Sequence, residues 1–120
     1  MEEIKVGNFI RTPYHTIEKV VEIEKSKNKM YDDMVTTDKS CYGLNWLKRN
    51  GTKSSSDLIS LVEEGDYVNG KLIHKVDIRE NSAYIYYGNG KTFCDYQIKD
   101  IVTKEQYNQM KYIVGDESNE

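Results

Sequence analysis

A four-residue signal occurs twice in this chain, as Gly7-Asn8-Phe9-Ile10 and as Gly65-Asp66-Tyr67-Val68. Glycine reaches positive φ without a Cβ clash, Asn and Asp close short turns onto the backbone, and an aromatic followed by a β-branched residue favours extended chain. Each copy therefore predicts a tight turn that opens into a short strand. The likeness continues downstream, where Ile17, Lys19 and Val20 align with Ile73, Lys75 and Val76. Self-similarity of this kind predicts a duplicated unit, and 120 residues leave room for one compact domain or two very small ones.

The second half gives the clearer pattern. Tyr67-Val68, Leu72 to Ile78, Ala83 to Tyr87, Thr92 to Tyr96 and Ile98 to Val102 are rich in β-branched and aromatic residues and are separated by turn residues. Gly88-Asn89-Gly90-Lys91 carries the Asn-Gly pair that favours a two-residue hairpin. Five short strands joined by tight turns predict a small Src-homology-3-like barrel over about Gly65 to Val102. Thr103 and Gln106 form a capping box that starts a short helix over Lys104 to Met110, followed by an apolar Tyr112-Ile113-Val114.

The first half predicts strands near Phe9 to Arg11 and Ile17 to Glu24, then a polar turn at Lys25 to Lys29. Leu44, Trp46 and Leu47 suit a strand or one helical turn, Asn50-Gly51 marks a turn, and Thr52 to Ser56 reads as a polar linker. Asp57 to Val62 resembles Lys99 to Val102 and is the expected closing strand. On that alignment the first unit, residues 1–62, holds an insertion at about 25–56. The second unit spans 63–115, and 116–120 is an acidic tail. The fold expected is mostly β: two tandem, related SH3-like barrel units with a short C-terminal helix.

The runs Val6 to Thr12, Asp57 to Gly70 and Ile98 to Tyr107, with their Gly-Asp-Tyr-Val-Asn-Gly and Asp-Ile-Val-Thr-Lys-Glu-Gln motifs, resemble a group of small, uncharacterised accessory proteins from phages and prophages of Firmicutes. The resemblance is weak from about Lys25 to Ser56. It implies a phage accessory role and supplies no activity, catalytic residue or ligand; the host bacterial cytoplasm is the expected location.

Composition narrows the chemistry. The formal charge of −3 disfavours general affinity for nucleic acid, which rests on cations displacing condensed counterions. No apolar run reaches the length of a membrane span, and no signal-peptide pattern opens the chain. Cys41 and Cys94 stand far apart and predict two free thiols. His15 and His74, the only histidines, belong to no zinc-ligand spacing, so no metal or other cofactor is expected. Gly88-Asn89-Gly90-Lys91-Thr92 resembles the end of a phosphate-binding loop, but Ile85 stands where the motif needs glycine and a strand follows where it needs a helix. No nucleophile elbow is present, and the adjacent acids Asp32-Asp33, Glu63-Glu64 and Asp116-Glu117 read as solvated surface. No catalytic residue is assigned.

The candidate partner-binding residues are Tyr42, Trp46, Lys48 and Arg49, which put the sole Trp beside two cations. Trp, Tyr and Arg dominate interface hot spots because they bury large areas with few rotors and keep polar handles. The competing reading places Trp46 in the core and leaves Lys48 and Arg49 to solvent. Tyr84 and Tyr86 share one face of their strand, opposite Ala83, Ile85 and Tyr87, and form a second aromatic group. The function expected is stoichiometric binding of a host protein, such as inhibition of a defence factor in the manner of an anti-CRISPR protein. A nucleic-acid-binding barrel and a sponge for a signalling nucleotide are the alternatives.

Overall fold

The computed structural model describes residues 2–112, and these are mostly β. Strands β1 (Phe9–Arg11), β2 (Ile17–Glu24), β3 (Met34–Thr37), β4 (Cys41–Gly43) and β5 (Lys53–Ser55) form an antiparallel sheet in the order β4-β3-β2-β1-β5. Helix α1 (Leu44–Arg49) links β4 to β5. Six further strands follow: β6 (Tyr67–Val68), β7 (Lys71–Leu72), β8 (Lys75–Ile78), β9 (Ala83–Gly88), β10 (Lys91–Phe93) and β11 (Ile101–Val102). They make two three-stranded sheets, β10-β9-β8 and β11-β6-β7, and helix α2 (Lys104–Met110) comes last. The expected closed barrel over Gly65 to Val102 is not formed, because the extended run expected from Leu72 to Ile78 breaks at Ile73-His74 and its two parts pair in different sheets.

The two Gly-Asx signals act alike. Gly7 and Gly65 take φ of +94° and +96°, in the region where a Cβ is strained. The Gly7 N–H donates to the Val20 carbonyl at 2.9 Å, and the Val20 N–H donates to the Asn8 carbonyl at 2.8 Å. Gly65 and Asp66 make the same pair of bonds with Ile73, both at 2.8 Å. Hydrogen bonding thus matches Val20 with Ile73, three positions from the sequence alignment with Val76. The shift arises because residues 12–16 join β1 to β2, whereas Asn69-Gly70 alone joins β6 to β7.

The stretch expected as a polar linker contains β5, whose Ser54 and Ser55 are buried beside β1. The expected closing strand at Asp57 to Val62 is instead a 3-10 turn over Leu58–Leu61. Residues 25–56 accordingly hold β3, β4, α1 and β5, and the extra length of this half lies in its β1–β2, β2–β3 and β4–β5 connections. In the second half the run from Thr92 to Tyr96 stays extended only to Phe93 and then turns over Asp95–Gln97, while Ile98 to Val102 shortens to β11. Asn89-Gly90 turns between β9 and β10, with Gly90 at φ +71° and a register shift after Lys91. Thr103 and Gln106 make the expected capping box: the Gln106 N–H donates to Thr103 Oγ1, and the Thr103 N–H donates to Gln106 Oε1, both at 3.1 Å. Ile113 and Val114 and the tail at 116–120 lie outside the described residues.

Two buried clusters form. Ile4, Ile10, Val20, Val35 and Leu47 make the first; Ile59, Val62, Val68, Ile73 and Ile85 make the second. Ile59 and Val62 precede the expected boundary at 62, yet they pack with the second set of strands.

The halves meet at Arg11. Its guanidinium grips Asp66 with two bonds, Nη1 to Oδ2 at 2.6 Å and Nη2 to Oδ1 at 2.9 Å, and also donates to the Leu61 carbonyl at 2.9 Å and to Glu105 on α2 at 3.1 Å. Asp66 is fully buried, and its remaining lone pairs accept the N–H groups of Glu63 at 2.7 Å and Lys104 at 2.9 Å. Burial works against the Arg11 charge, but the hydrogen bonds and charge of Asp66, aided by Glu63 and Glu105, push its pKa up. Truncating one member of a buried pair strands the other, so Asp66→Ala is expected to lower unfolding free energy by about 3–5 kcal/mol, measured by urea denaturation. Glu63 accepts from Lys53 at 2.5 Å and faces Lys104 at 3.0 Å. Partial burial alone raises its pKa, yet the bonds from Lys53 and Lys104 and the charge of Arg11 win and hold it at about 2 instead of 4.5. A depressed carboxylate stabilises the fold above its unfolded pKa and loses that contribution as pH falls through the folded one. Stability is therefore expected to decline from pH 4.5 towards about 2, and Glu63→Gln to flatten that part of the profile in urea titrations at stepped pH.

Candidate functional site

The feature that stands apart from the two cores is an aromatic face on the first half, assembled by three elements. Tyr42 lies on β4 opposite Val35 of β3, so its ring covers the edge of the first core. Trp46 is on α1. This helix begins at Gly43, which offers no side-chain cap; Asp32 caps it from a distance by accepting the N–H groups of Asn45 at 2.8 Å and Trp46 at 3.3 Å. A Cβ at Gly43 would come within 2.5 Å of Asp32 Oδ2, so a side chain there would push the carboxylate off the amides it caps. Leu47 points into the core and is fully buried, while its neighbour Trp46 packs half-buried against the core edge.

The third ring is Tyr14, in the β1–β2 connection. Buried Thr12 organises this loop: its Oγ1 accepts the N–H groups of Tyr14 at 3.2 Å and Thr16 at 3.3 Å. Thr103, at the start of α2, donates its hydroxyl to the His15 carbonyl at 2.7 Å and fixes the loop from the other side. The three rings lie in one another's reach. Tyr42 and Trp46 are nearly parallel, 5° apart with centroids at 6.1 Å; Tyr14 is tilted by about a third of a right angle to both, at 6.2 Å from Tyr42 and 5.6 Å from Trp46. Tyr14 is 62% exposed. Tyr42 and Trp46 are half-buried against the first core.

At the phenol end of Tyr42 lies Glu18, 3% exposed. Its carboxylate accepts hydroxyl bonds from Thr37 at 2.5 Å, Thr16 at 2.5 Å and Tyr42 at 2.8 Å. Burial, together with the hydrogen bond and charge of Glu18, raises the Tyr42 pKa and keeps the phenol protonated as donor.

Of the four residues singled out by sequence, the structure brings Tyr42 and Trp46 together. Lys48 and Arg49 are both exposed in the last turn of α1, where cations favour the helix end, and neither makes an ion pair among the described residues. Arg49 is three positions from Trp46 and shares its side of the helix, whereas Lys48, two positions away, faces elsewhere. Tyr14 and Glu18 were not singled out. Tyr14 follows Pro13 in a turn, which signals exposure but not contact with rings about 30 positions on, and Glu18 sits in an alternating strand like any solvent-facing acid.

The second aromatic group divides as its strand alternation predicts. Ala83, Ile85 and Tyr87 face the second core, where Tyr87 stacks on Phe93 at 4.3 Å; Tyr84 is exposed, and Tyr86 lies under Lys75 at 5.1 Å. Tyr84 and Tyr96 line a shallow groove of about 660 Å³ with Ile59, Ile78 and Cys94. His15 stands 3.9 Å from Glu105, and His74 lies on the other half, 3.3 Å from the Gly88 carbonyl. Among the described residues no three His, Cys, Asp or Glu side chains converge as metal ligands, and no helix is long and apolar enough to cross a membrane.

Comparison of the chain with protein-family models, with curated proteins and with solved structures gives no match.

The geometry separates core from face between α1, which buries Leu47, and the β1–β2 loop, which exposes Tyr14. Leu47→Ala is expected to cost about 2–5 kcal/mol of stability by cavity formation, and Tyr14→Ala no more than about 0.5 kcal/mol, measured by urea denaturation of the two variants.

Proposed function

We propose that this chain is a non-catalytic phage accessory protein that binds a host protein stoichiometrically, as an inhibitor of a defence factor in the host cytoplasm. The observation that carries this reading is the open aromatic face of Tyr14, Tyr42 and Trp46. Large, stiff rings that keep a polar handle give the most binding free energy per ordered side chain, and they concentrate at hot spots for that reason.

We read the chain as two related SH3-like units, and that reading sharpens the functional one. The strand neighbours β11-β6-β7 and β8-β9-β10 follow the same order as β5-β1-β2-β3-β4, with the long second strand split in two. Matching Val35 with Ile85 by register matches Tyr42 with Phe93, which turns inward onto Tyr87. The position matching Trp46 is Gln97, whose side chain accepts the Cys94 N–H. The two-residue turn before β7 has no counterpart of Tyr14. The scaffold thus does without the face in one half, which favours recognition over packing as its purpose in the other. The phage context is supported by the sequence resemblance alone.

The test uses the full chain as bait in host lysate, alongside Trp46→Ala, followed by affinity measurement on any protein that the wild type alone retains. Trp46→Ala is expected to weaken that complex by about 2 kcal/mol, roughly 30-fold, while the variant stays folded. Equal retention and equal affinity of the two baits would remove the face from the binding surface.

A further inference from the structure

We propose that the aromatic face receives a cationic side chain, an arginine or lysine of the bound protein, with Glu18 as the buried counter-charge at the phenol end of Tyr42. This rests on the reading of that face as the binding surface and names the chemistry it selects.

Three observations converge. The first is that Glu18 has no cationic partner. Its carboxylate is satisfied by three neutral hydroxyls, from Thr16, Thr37 and Tyr42, and no Lys, Arg or His comes within ion-pair distance of it among the described residues. Hydroxyl dipoles fill its lone pairs without cancelling its charge, and a buried charge left so is costly unless something repays it. The acid is not shared by the two halves: Glu18 stands opposite Ile10, and the residue that stands opposite the matching Val68 is the exposed Lys71.

The second is the direction of the negative potential. Ring faces are the negative pole of the aromatic quadrupole, and a cation is attracted within about 6 Å of the centroid, most strongly by Trp. Tyr42 is tied to the acid through its own O–H, so the donation to Glu18 pushes electron density back into the ring that lines the face. Low surrounding dielectric carries the Glu18 charge outward with little screening.

The third is vacancy of the rings towards cations in a chain that fills others. Lys19 lies over Phe9 at 5.7 Å, Lys75 over Tyr86 at 5.1 Å and Lys111 over Tyr107 at 5.6 Å. Among the described residues no lysine or arginine lies over Tyr14, Tyr42 or Trp46, and Arg49, their nearest cation along α1, makes no such contact.

Trp46 is the sole Trp, so its fluorescence reports on the face without a label. The full chain is titrated with three capped peptides, acetyl-Gly-Arg-Gly-amide and the same peptide with citrulline or glutamate in place of arginine. Citrulline keeps the shape and loses the charge. The arginine peptide is expected to change Trp46 emission saturably and to bind about tenfold more tightly than the citrulline peptide, with the glutamate peptide weakest. Glu18→Gln is expected to bring arginine affinity down to that of citrulline and to leave citrulline unchanged. Tyr42→Phe keeps the ring and severs it from Glu18, and is expected to give an intermediate loss, which serves if Glu18→Gln does not fold. Equal affinity for arginine and citrulline, absence of saturation, or arginine binding indifferent to both variants would each overturn the proposal. If, in addition, Trp46→Ala still weakens the host complex, the face binds a partner but not through a cation; if it does not, the binding surface itself is misplaced.

Discussion

A guanidinium closed on a carboxylate, both out of water, holds this molecule in one piece. Arg11 leaves the end of β1 and reaches Asp66 in the second Gly-Asx turn, the Leu61 carbonyl in the connecting segment and Glu105 on α2. Two charges out of water gain from one another only when every lone pair and proton finds a partner. Asp66 meets that condition with four donors, two from Arg11 and two backbone amides. The amide of Lys104 is among them, so the pair also sets where α2 begins.

The same junction supports the face some distance away. Helix α2 opens with Thr103, whose hydroxyl bonds both ways, accepting from Gln106 and donating to the His15 carbonyl in the loop that bears Tyr14. Thr12, one residue beyond Arg11, organises that loop from within. Tyr14 is therefore exposed but held, and a ring whose backbone is already ordered loses less entropy when a partner covers it.

Legibility in the sequence followed locality. The Gly-Asx turns, the Thr103–Gln106 box and the strand from Ala83 onward are each decided by residues within a few positions, and each was readable. Strand β5 was not. Lys53-Ser54-Ser55 has weak strand propensity and no apolar alternation, and it is strand only because β1 pairs with it and the N-terminal segment covers its hydroxyls: Ser54 Oγ donates to the Glu3 carbonyl and Ser55 Oγ to the Glu2 carboxylate. The break at Ile73-His74 is likewise tertiary, since Ile73 keeps its place in the second core while the chain passes from one sheet to the next. At the candidate site, Tyr42 and Trp46 were visible as residue types, but their neighbours Tyr14 and Glu18 are brought in by pairing between β1, β2, β3 and β4, which no short window encodes.

The placement of Ile59 and Val62 bears on how such a chain can change by exchange of genetic segments. These two side chains follow β5 in the sequence but complete the apolar cluster of β6 to β11. A crossover after Val62 would join a second half to another chain's plug, so the volumes on its two sides would no longer be matched. A crossover ahead of Leu58 keeps these side chains with the cluster they complete, but it parts Asp66 from Arg11. The second apolar cluster therefore begins at Ile59, upstream of the Gly65-Asp66 signal seen in the sequence, and the Arg11–Asp66 pair ties it to β1.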